Sequence, residues 1–430
     1  MLRIPLARLS ILLLLSVAAC TPRTPPAVSG EQTHDVASPD APSLERRTHL
    51  ANLGALRWHQ DGRRGKGVKL AVLDSGFRDY RQFLGKGMPA RVKTQSFRRD
   101  QNLEARDSQH GILCAEVLHS IAPDAEIVLI NWEPDNPQSF LDAVRWAKAD
   151  GVKVLSCSLI MPSWSDGEGG GEVHRALAEI MSDGMLFFAS AGNTAQRHWC
   201  GVYAPDASGW HQWRDEATVN TLTPWGKERV AVEFYGPTQG AFELSIHHGA
   251  SHELIGKSIL RVDGTKTCGR MVVRFEPEVG ATYQVKVRCL ESSRQARRES
   301  FHLVALGAGL EFATNRGSIP FPGDGATVQA VGAVDGEGRR LYYSSCGPNS
   351  TLPKPDFVAA VPFPSVCRDR PFTGTSAAAP QAAGLAALVW SSRPQASTSE
   401  VLRSMRAAAV DLGPMGHDHE TGFGLIRLPR

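Results

Sequence analysis

The feature that most constrains the fold is an alternation of short apolar runs with amphipathic segments between residues 68 and 190. The apolar runs are bounded by turn residues and have the length of buried strands in a parallel sheet. The segments between them carry apolar residues at helical spacing. Together they predict an α/β fold with a doubly wound, mostly parallel sheet that helices cover on both faces. The predicted strands are 68–73, 125–130, 152–159 and 185–190, and the predicted helices are 110–118, 139–149 and 173–181.

Polar residues with catalytic chemistry lie at the ends of these elements. Asp74 directly follows the first strand, at the edge where open α/β sheets place their sites. A dinucleotide site is excluded there, because no Gly-rich phosphate-binding motif joins this strand to a helix. His110 begins the first predicted helix, where a single His is usually a cap or a surface residue. Asn193 ends the fourth strand in the segment Ala-Gly-Asn.

A further signal surrounds Ser376. This residue stands in the segment Gly-Thr-Ser, at the start of a helix made almost entirely of Ala, Gly and Leu. Such a helix must be buried among close neighbours. The free backbone N–H groups and the dipole at the start of a helix stabilise a developing negative charge. The sequence therefore places the Ser376 hydroxyl where an oxyanion would be stabilised.

These motifs, in the order Asp, His, Asn, Ser, resemble those of the subtilisin-like (subtilase) family of serine endopeptidases. The resemblance covers residues 50–196 and 317–430 and implies a sheet of the subtilisin-like type. It implies a hydrolase that cleaves peptide bonds through an acyl-enzyme. The implied catalytic residues are Asp74, His110 and Ser376, and the implied oxyanion donor is Asn193.

The family binds the substrate backbone along a Ser-Leu-Gly segment, which corresponds here to Ser158, Leu159 and Ile160. Ser158 and Leu159 are the implied substrate-binding residues. Ile160 replaces the Gly of the family with a bulky side chain, so either the pocket is narrowed or the substrate runs differently. Cys114 lies four residues after His110. It is either a small apolar core residue or the buried thiol that some subtilases carry near the catalytic His.

Residues 197–316 are absent from the family core and show a different pattern. Short runs of period-two alternation are separated by turn residues, which predicts an inserted all-β sandwich between the two parts of the catalytic domain, 50–196 and 317–430. The insert starts just after Asn193, so we expect it to overhang the cleft. The alternative is an appendage that serves stability or solubility. Cys268 and Cys289 lie inside the insert, and their pairing stays open.

The N-terminus has the features of an export signal. Residues 1–19 combine a basic start with an apolar core too short to span a bilayer, which predicts a signal peptide. The following segment resembles the lipobox of bacterial lipoproteins, in which Cys20 carries the lipid. Residues 20–49 then form a Pro-rich segment that is predicted to be a tether. The resemblance implies attachment to the bacterial cell envelope, at the outer membrane where the host has two membranes.

Charge and motif spacing restrict the partners and cofactors. The formal net charge of +3 over 430 residues gives no case for nucleic acid as a partner. We expect a monomer that acts on protein or peptide substrates and contacts the membrane through its lipid anchor. We expect no cofactor and no metal, because no Cys pair has zinc spacing and the His and acidic residues of 417–420 lack helical spacing. The segment after His110 is too short for the strong calcium site of the family.

Two other functions fit parts of the sequence. A non-catalytic binding protein on a subtilase fold would be expected to have lost at least one catalytic residue. A carbohydrate- or peptide-binding envelope protein is suggested by a group of Trp residues in the insert, although clustered Trp is more often part of a core or a domain contact. These residues are Trp199, Trp210, Trp213 and Trp225.

Overall fold

The computed structural model describes residues 43–182, 184–264, 268–291 and 298–429. The predicted signal peptide 1–19, the predicted lipidation residue Cys20 and most of the predicted tether lie outside the described residues. Within the described ranges, no helix is long and apolar enough to cross a membrane.

Seven strands form the central sheet. They are β1 (Lys69–Leu73), β2 (Lys93–Phe97), β3 (Glu126–Trp132), β4 (Val154–Cys157), β5 (Leu186–Ser190), β15 (Gln329–Val334) and β16 (Phe357–Ala360). The order is β16-β15-β5-β4-β1-β3-β2, and every neighbouring pair is parallel. This confirms the predicted α/β fold with a parallel sheet. The sheet grows to one side of β1 through β3 and to the other through β4, so the end of β1 lies at the switch point where such sheets place their sites.

Helices cover both faces of this sheet. The described helices are α1 (Leu44–Asn52), α2 (Ala55–Gln60), α3 (His110–Ile121), α4 (Pro137–Ala149), α5 (Glu172–Ile180), α6 (Thr375–Ser392) and α7 (Thr398–Ala408). Side chains of α3 and α6 bury one face of the sheet, and those of α4 and α5 bury the other. The helix α6 is the one predicted from its Ala, Gly and Leu residues, and it is buried along nearly its whole length.

The first helix begins inside the segment predicted to be a tether. The reason is a buried ion pair, since Arg46 of α1 contacts the carboxylate of Glu116 on α3 and donates to the carbonyl oxygen of Pro364. Glu116 also accepts a hydrogen bond from Ser365. Leu50 adds a buried apolar contact. Because Arg46 and Leu50 are both buried, α1 packs against the folded domain and is not part of a free linker.

Two antiparallel sheets follow β5 in the chain. Their strands are β6 (His198–Val202), β7 (Asn220–Pro224), β8 (Val230–Tyr235), β9 (Gln239–His248), β10 (Leu254–Asp263), β11 (Arg270–Phe275), β12 (Tyr283–Cys289), β13 (Ser300–Leu306) and β14 (Ala308–Leu310). One sheet has the order β10-β9-β12-β7-β14 and the other β11-β8-β13-β6. Their inner faces share one apolar core, which makes them a sandwich. Cys268 carries a free thiol, so it does not form the strand-to-strand disulfide that its position allowed.

Candidate active site

The carboxylate of Asp74 is fixed at the end of β1 by three hydrogen bonds. Its Oδ1 accepts from the backbone N–H groups of Ser75, at 2.8 Å, and Gly76, at 2.9 Å. Its Oδ2 accepts from Nδ1 of His110 at 2.7 Å. The Asp74 side chain is fully buried, whereas that of His110 is 28% exposed. Since Nδ1 carries the proton of this bond, the lone pair of the outer nitrogen, Nε2, is left as a proton acceptor.

Gly111 explains how the start of α3 approaches Asp74 so closely. A Cβ at residue 111 would lie 2.4 Å from the ring of Phe77 and 2.8 Å from Cβ of Asp74. The N–H of Gly111 also donates to the carbonyl oxygen of Gly76 at 2.8 Å. The His-Gly pair of the sequence therefore has a packing reason, because any larger side chain after His110 would push the imidazole away from the carboxylate.

The environment of His110 sets its protonation. Burial lowers the pKa of His110, but the charge of Asp74 and the hydrogen bond to it raise the pKa more, and the nearby Arg368 charge lowers it slightly. The net pKa lies above the ordinary value of 6.5. The imidazole is therefore a stronger base than a free His and holds its proton to higher pH.

This shift predicts the pH dependence of activity. A general base must be neutral, so kcat/KM is expected to rise with pH through an inflection above 6.5. The measurement is hydrolysis of a small peptide from pH 5 to 9. In the variant Arg368→Ala the inflection is expected to move to higher pH, because a positive charge that disfavours imidazolium is lost. An inflection below 6.5 in the parent would contradict the assignment of His110 as the base.

Ser376 lies in the first turn of α6 and exchanges hydrogen bonds with Ser158. Its Oγ donates to the carbonyl oxygen of Ser158 at 3.3 Å. The Oγ of Ser158 donates in turn to the carbonyl oxygen of Ser376 at 3.0 Å. In the described part of the chain no hydrogen bond joins Ser376 to His110. The ring of Phe372 packs edge-on against the imidazole of His110, with the ring centroids 5.6 Å apart, and fixes the ring plane from the side.

Cys114 is a buried thiol next to these groups. Its Sγ points at the carbonyl oxygen of Ser376 at 3.8 Å. Ligand atoms of Asp74, His110 and Cys114 all lie within 4.8 Å of one another. Burial raises the pKa of Cys114 well above its ordinary value, so the thiol stays protonated and neutral. It is therefore a small, neutral core residue that packs beside Asp74 and Ser376.

Asn193 is oriented by a residue that the sequence analysis did not select. Its Oδ1 accepts from the backbone N–H of Thr375 at 3.1 Å and from the hydroxyl of Thr375 at 2.9 Å. Because Oδ1 is held twice, the amide nitrogen Nδ2 faces away from Thr375, and it has no hydrogen-bond partner among the described residues. Thr375 directly precedes Ser376, so the Gly-Thr-Ser motif already contained the residue that orients Asn193.

The predicted substrate-binding residues lie beside a large cavity. Residues 158–160 follow β4 without joining a described strand, and Ser158 is buried while Leu159 and Ile160 are partly exposed. Leu159 and Ile160 line a cavity of about 620 Å³. The opposite wall comes from the antiparallel sheet of β8 and β11, including Arg270 and Arg274. Ile160 and the sandwich therefore face each other across this cavity.

Two other predicted features have ordinary structural roles. Trp199 and Trp213 are buried in the sandwich core and pack edge to face, with ring centroids 5.2 Å apart. Trp225 is exposed beneath the Arg197 guanidinium, so these side chains do not form one flat aromatic surface. His417 bonds to the carbonyl oxygen of Pro355 at 2.9 Å. Residues 417–420 do not bring three ligand atoms together within the described part of the chain.

Comparison with known proteins gives one family. The sequence pattern of the Subtilase family matches residues 65–223 and 268–424 and so extends into both ends of the predicted insert. Subtilisin DY of Bacillus licheniformis is 33% identical over 114 residues, which are 26% of this chain and 40% of that protein. The halolysin-like extracellular serine protease Nep of Natrialba magadii is 34% identical over 113 residues, which are 26% of this chain and 20% of Nep. The aligned segment therefore spans less than half of either relative.

Among solved structures, the Clostridium perfringens CspB protease matches with a TM-score of 0.61 at 14% identity. The match covers 89% of this chain and 97% of that one. At this identity the likeness concerns the fold alone.

Proposed function

The chain belongs to the subtilase family, and on that premise we propose that it is a serine endopeptidase in which Ser376 is the nucleophile, His110 the base and Asp74 the group that orients the base. The observation that carries this proposal is the bond of Asp74 to Nδ1 of His110, which leaves Nε2 as the acceptor. In this structure the Ser376 hydroxyl donates its hydrogen bond to the carbonyl oxygen of Ser158. Activity requires the hydroxyl to turn and donate to Nε2 of His110 instead. Hydrogen bonds of this kind are often formed only when substrate is bound.

The proposed reaction proceeds through an acyl-enzyme. The Ser376 oxygen attacks the carbonyl carbon of the peptide bond while its proton passes to His110, and the buried Asp74 carboxylate stabilises the imidazolium. The tetrahedral intermediate carries its negative charge on the former carbonyl oxygen. Nδ2 of Asn193 and the backbone N–H of Ser376, at the start of α6, are the proposed donors to that oxygen. His110 then gives the proton to the leaving amine. Water next attacks the acyl carbon while His110 takes its proton, and His110 returns that proton to the Ser376 oxygen as the acid product leaves.

The direct test of this reaction type is digestion of denatured casein by the purified protein. Mass spectrometry of the products is expected to show peptides cut at internal positions, as an endopeptidase produces. Casein that stays intact, or that loses only single residues from its ends, would contradict the proposal. Treatment with a serine-reactive sulfonyl fluoride before the digestion provides the control, since it should stop the appearance of fragments.

We further propose that Cys20 is lipidated and holds the protein at the bacterial envelope, at the outer membrane where there are two. The support is in the sequence, where small residues directly precede Cys20 after an apolar stretch. The variant Cys20→Ser is expected to leave the membrane fraction, because it lacks the acceptor thiol for the lipid. The measurement is fractionation of cells that express the parent or the variant, with Cys268→Ser as a matched control. Equal partitioning of Cys20→Ser and the parent would rule out the anchor.

The sandwich is proposed to restrict which substrates reach the site. The support is the cavity between residues 159–161 and the strands β8 and β11, since a peptide that lies along Leu159 must pass between them. Replacing residues 197–316 with a short Gly-Ser linker is therefore expected to raise the cleavage of a folded protein more than that of a small peptide. The measurement is the ratio of the two rates in a variant whose peptidase activity persists. An unchanged ratio would leave the sandwich as an appendage.

A further inference from the structure

A cluster of two His and one Cys lies at the point where the sandwich joins the parallel-sheet domain, apart from the proposed catalytic residues. His198 and Cys200 belong to β6, and because side chains alternate along a strand they project from the same face. His302 of β13 lies directly opposite Cys200 in the antiparallel register. The pairing of the two strands therefore brings together residues that 104 positions of chain separate.

The three side chains converge on one point. Nε2 of His198 lies 3.0 Å from Nδ1 of His302. One ring nitrogen of each His and Sγ of Cys200 all lie within 4.8 Å of one another. His198 is 1% and His302 3% exposed, so water does not surround the two rings. Distances of this size between nitrogen and sulfur atoms are those of ligands that share one metal ion.

The outer nitrogen of each ring is already held by an acceptor. Nδ1 of His198 lies 3.0 Å from the carbonyl oxygen of Thr314, and a carbonyl oxygen only accepts, so Nδ1 carries the proton. Nε2 of His302 lies 3.3 Å from a carboxylate oxygen of Glu168, which makes Nε2 the protonated nitrogen of that ring. In the neutral rings both inner nitrogens then present lone pairs to each other at 3.0 Å.

Two lone pairs at this distance repel each other unless a positive charge lies between them. An extra proton would bridge the two nitrogens alone, and it would place a positive charge where both rings are buried. A metal cation satisfies both nitrogens and the sulfur at once. A backbone carbonyl or a carboxylate on the outer nitrogen is also the usual second contact of a His that ligates a metal.

We propose that His198 Nε2, His302 Nδ1 and Cys200 Sγ bind one Zn²⁺ ion, with water completing the tetrahedron. Soft thiolate and imidazole ligands select zinc over calcium or magnesium. Binding replaces the thiol hydrogen of Cys200, so one proton is released to solvent for each ion bound. The hydroxyl of Thr314, 3.6 Å from Sγ, then donates to the thiolate.

Surrounding contacts fix the ligands before the metal binds. The ring of Tyr235 stacks on His302 with the centroids 5.3 Å apart. Gly167 lies against His302 so closely that a Cβ there would be 2.5 Å from the imidazole. The loop that carries Gly167 and Glu168 is itself held by the buried Asp324, which accepts from the N–H of Gly169 at 3.2 Å. The imidazole of His302 therefore cannot turn freely.

The position of this site gives the ion a structural role. His198 and Cys200 lie on the first strand after Asn193, and Thr314 lies on the segment that returns to the parallel-sheet domain. Glu168 comes from the loop after residues 159–161, which line the cleft cavity. One ion would thus connect the two segments that join the sandwich to the parallel-sheet domain with the loop that carries Glu168. No metal was expected from the sequence, because no Cys pair has zinc spacing and His302 lies 104 residues after His198.

The test is titration of the full-length protein, first stripped by a chelator, with Zn²⁺ in competition with a chromophoric chelator. We expect one ion per chain. Cys200→Ser and His302→Ala are expected to weaken binding at least about 100-fold, and Glu168→Gln about 10–100-fold. Cys268→Ser and His252→Ala, which change a thiol and an imidazole of the same sandwich outside the cluster, should bind like the parent.

A second measurement does not depend on whether the variants fold. The parent loaded with Co²⁺ in place of Zn²⁺ should show the near-ultraviolet absorption of a thiolate–cobalt bond, and added Zn²⁺ should raise the melting temperature of the stripped protein. Absence of stoichiometric binding and of that absorption would show that the two His only share a hydrogen bond. Equal affinity of Cys200→Ser and the parent would equally overturn the proposed site.

Discussion

Ser376→Ala is expected to lose peptidase activity by about 10⁶-fold in kcat, a magnitude carried over from subtilisin rather than obtained from this structure. The reason is that the alanine has no oxygen to attack the carbonyl carbon, and the remaining groups can only assist water. Binding of peptide should persist, because Leu159, Ile160 and the cavity wall are unchanged. The measurement is hydrolysis of a small peptide by the purified variant, with its folding checked by circular dichroism and its melting temperature.

A matched control distinguishes the nucleophile from a structural hydroxyl. Ser158→Ala removes a hydroxyl that contacts the Ser376 carbonyl oxygen, but it leaves the Ser376 hydroxyl in place. We expect it to cost far less activity than Ser376→Ala. If both variants were equally inactive, or if Ser376→Ala kept activity near that of the parent, Ser376 would not be the nucleophile.

Asn193→Ala is expected to lower kcat by about 10²–10³-fold with little change in KM, again by analogy with subtilisin. Its Nδ2 is free of other partners among the described residues, and the negative charge that it would stabilise by a hydrogen bond develops only as the transition state forms. Loss of such a bond affects kcat rather than the binding of the ground state. Steady-state kinetics with a small peptide separates the two constants.

Thr375→Val supplies the control for the orientation of Asn193. It removes the hydroxyl that donates to Oδ1 of Asn193 at 2.9 Å but keeps the backbone N–H bond at 3.1 Å. A neutral hydrogen bond contributes about 1 kcal/mol, so we expect a loss of roughly 5–10-fold. If Asn193→Ala raised KM and left kcat unchanged, the side chain would be assigned to substrate binding instead of to the oxyanion.

The strands that are easiest to predict from sequence are those marked by a run of consecutive apolar residues. The strands β1, β3, β4 and β5 are short apolar runs buried on both faces, and each was predicted. The strand β2 was not, because its sequence Lys-Thr-Gln-Ser-Phe is polar and it forms the edge of the sheet. The edge strand β10 also has a weak burial pattern, since most of its side chains are exposed or only partly buried. These two strands differ from β16, an edge strand whose apolar side chains are mostly buried, because their own faces are only partly covered.

The residues of the candidate site show the same contrast between local sequence motifs and contacts that only the tertiary fold creates. Asp74, His110 and Ser376 stand in short motifs, so the resemblance to the subtilase family implied that they form one site. The partners that orient them are set by the tertiary fold. No spacing in the sequence shows that Ser158 contacts Ser376, or that His198 and His302 face each other. Such contacts depend on strand register and helix packing, which pair residues far apart in the chain.

The measurement that tests the central claim most directly is labelling of the native protein with a fluorophosphonate, followed by mass spectrometry of the labelled peptide. The reagent reacts with a serine only where a base activates it and an oxyanion site stabilises the adduct. The account predicts one label per chain on Ser376 and none in Ser376→Ala or in heat-denatured protein. A native protein that takes up no label, or that is labelled at another serine while Ser376→Ala labels equally well, would contradict it.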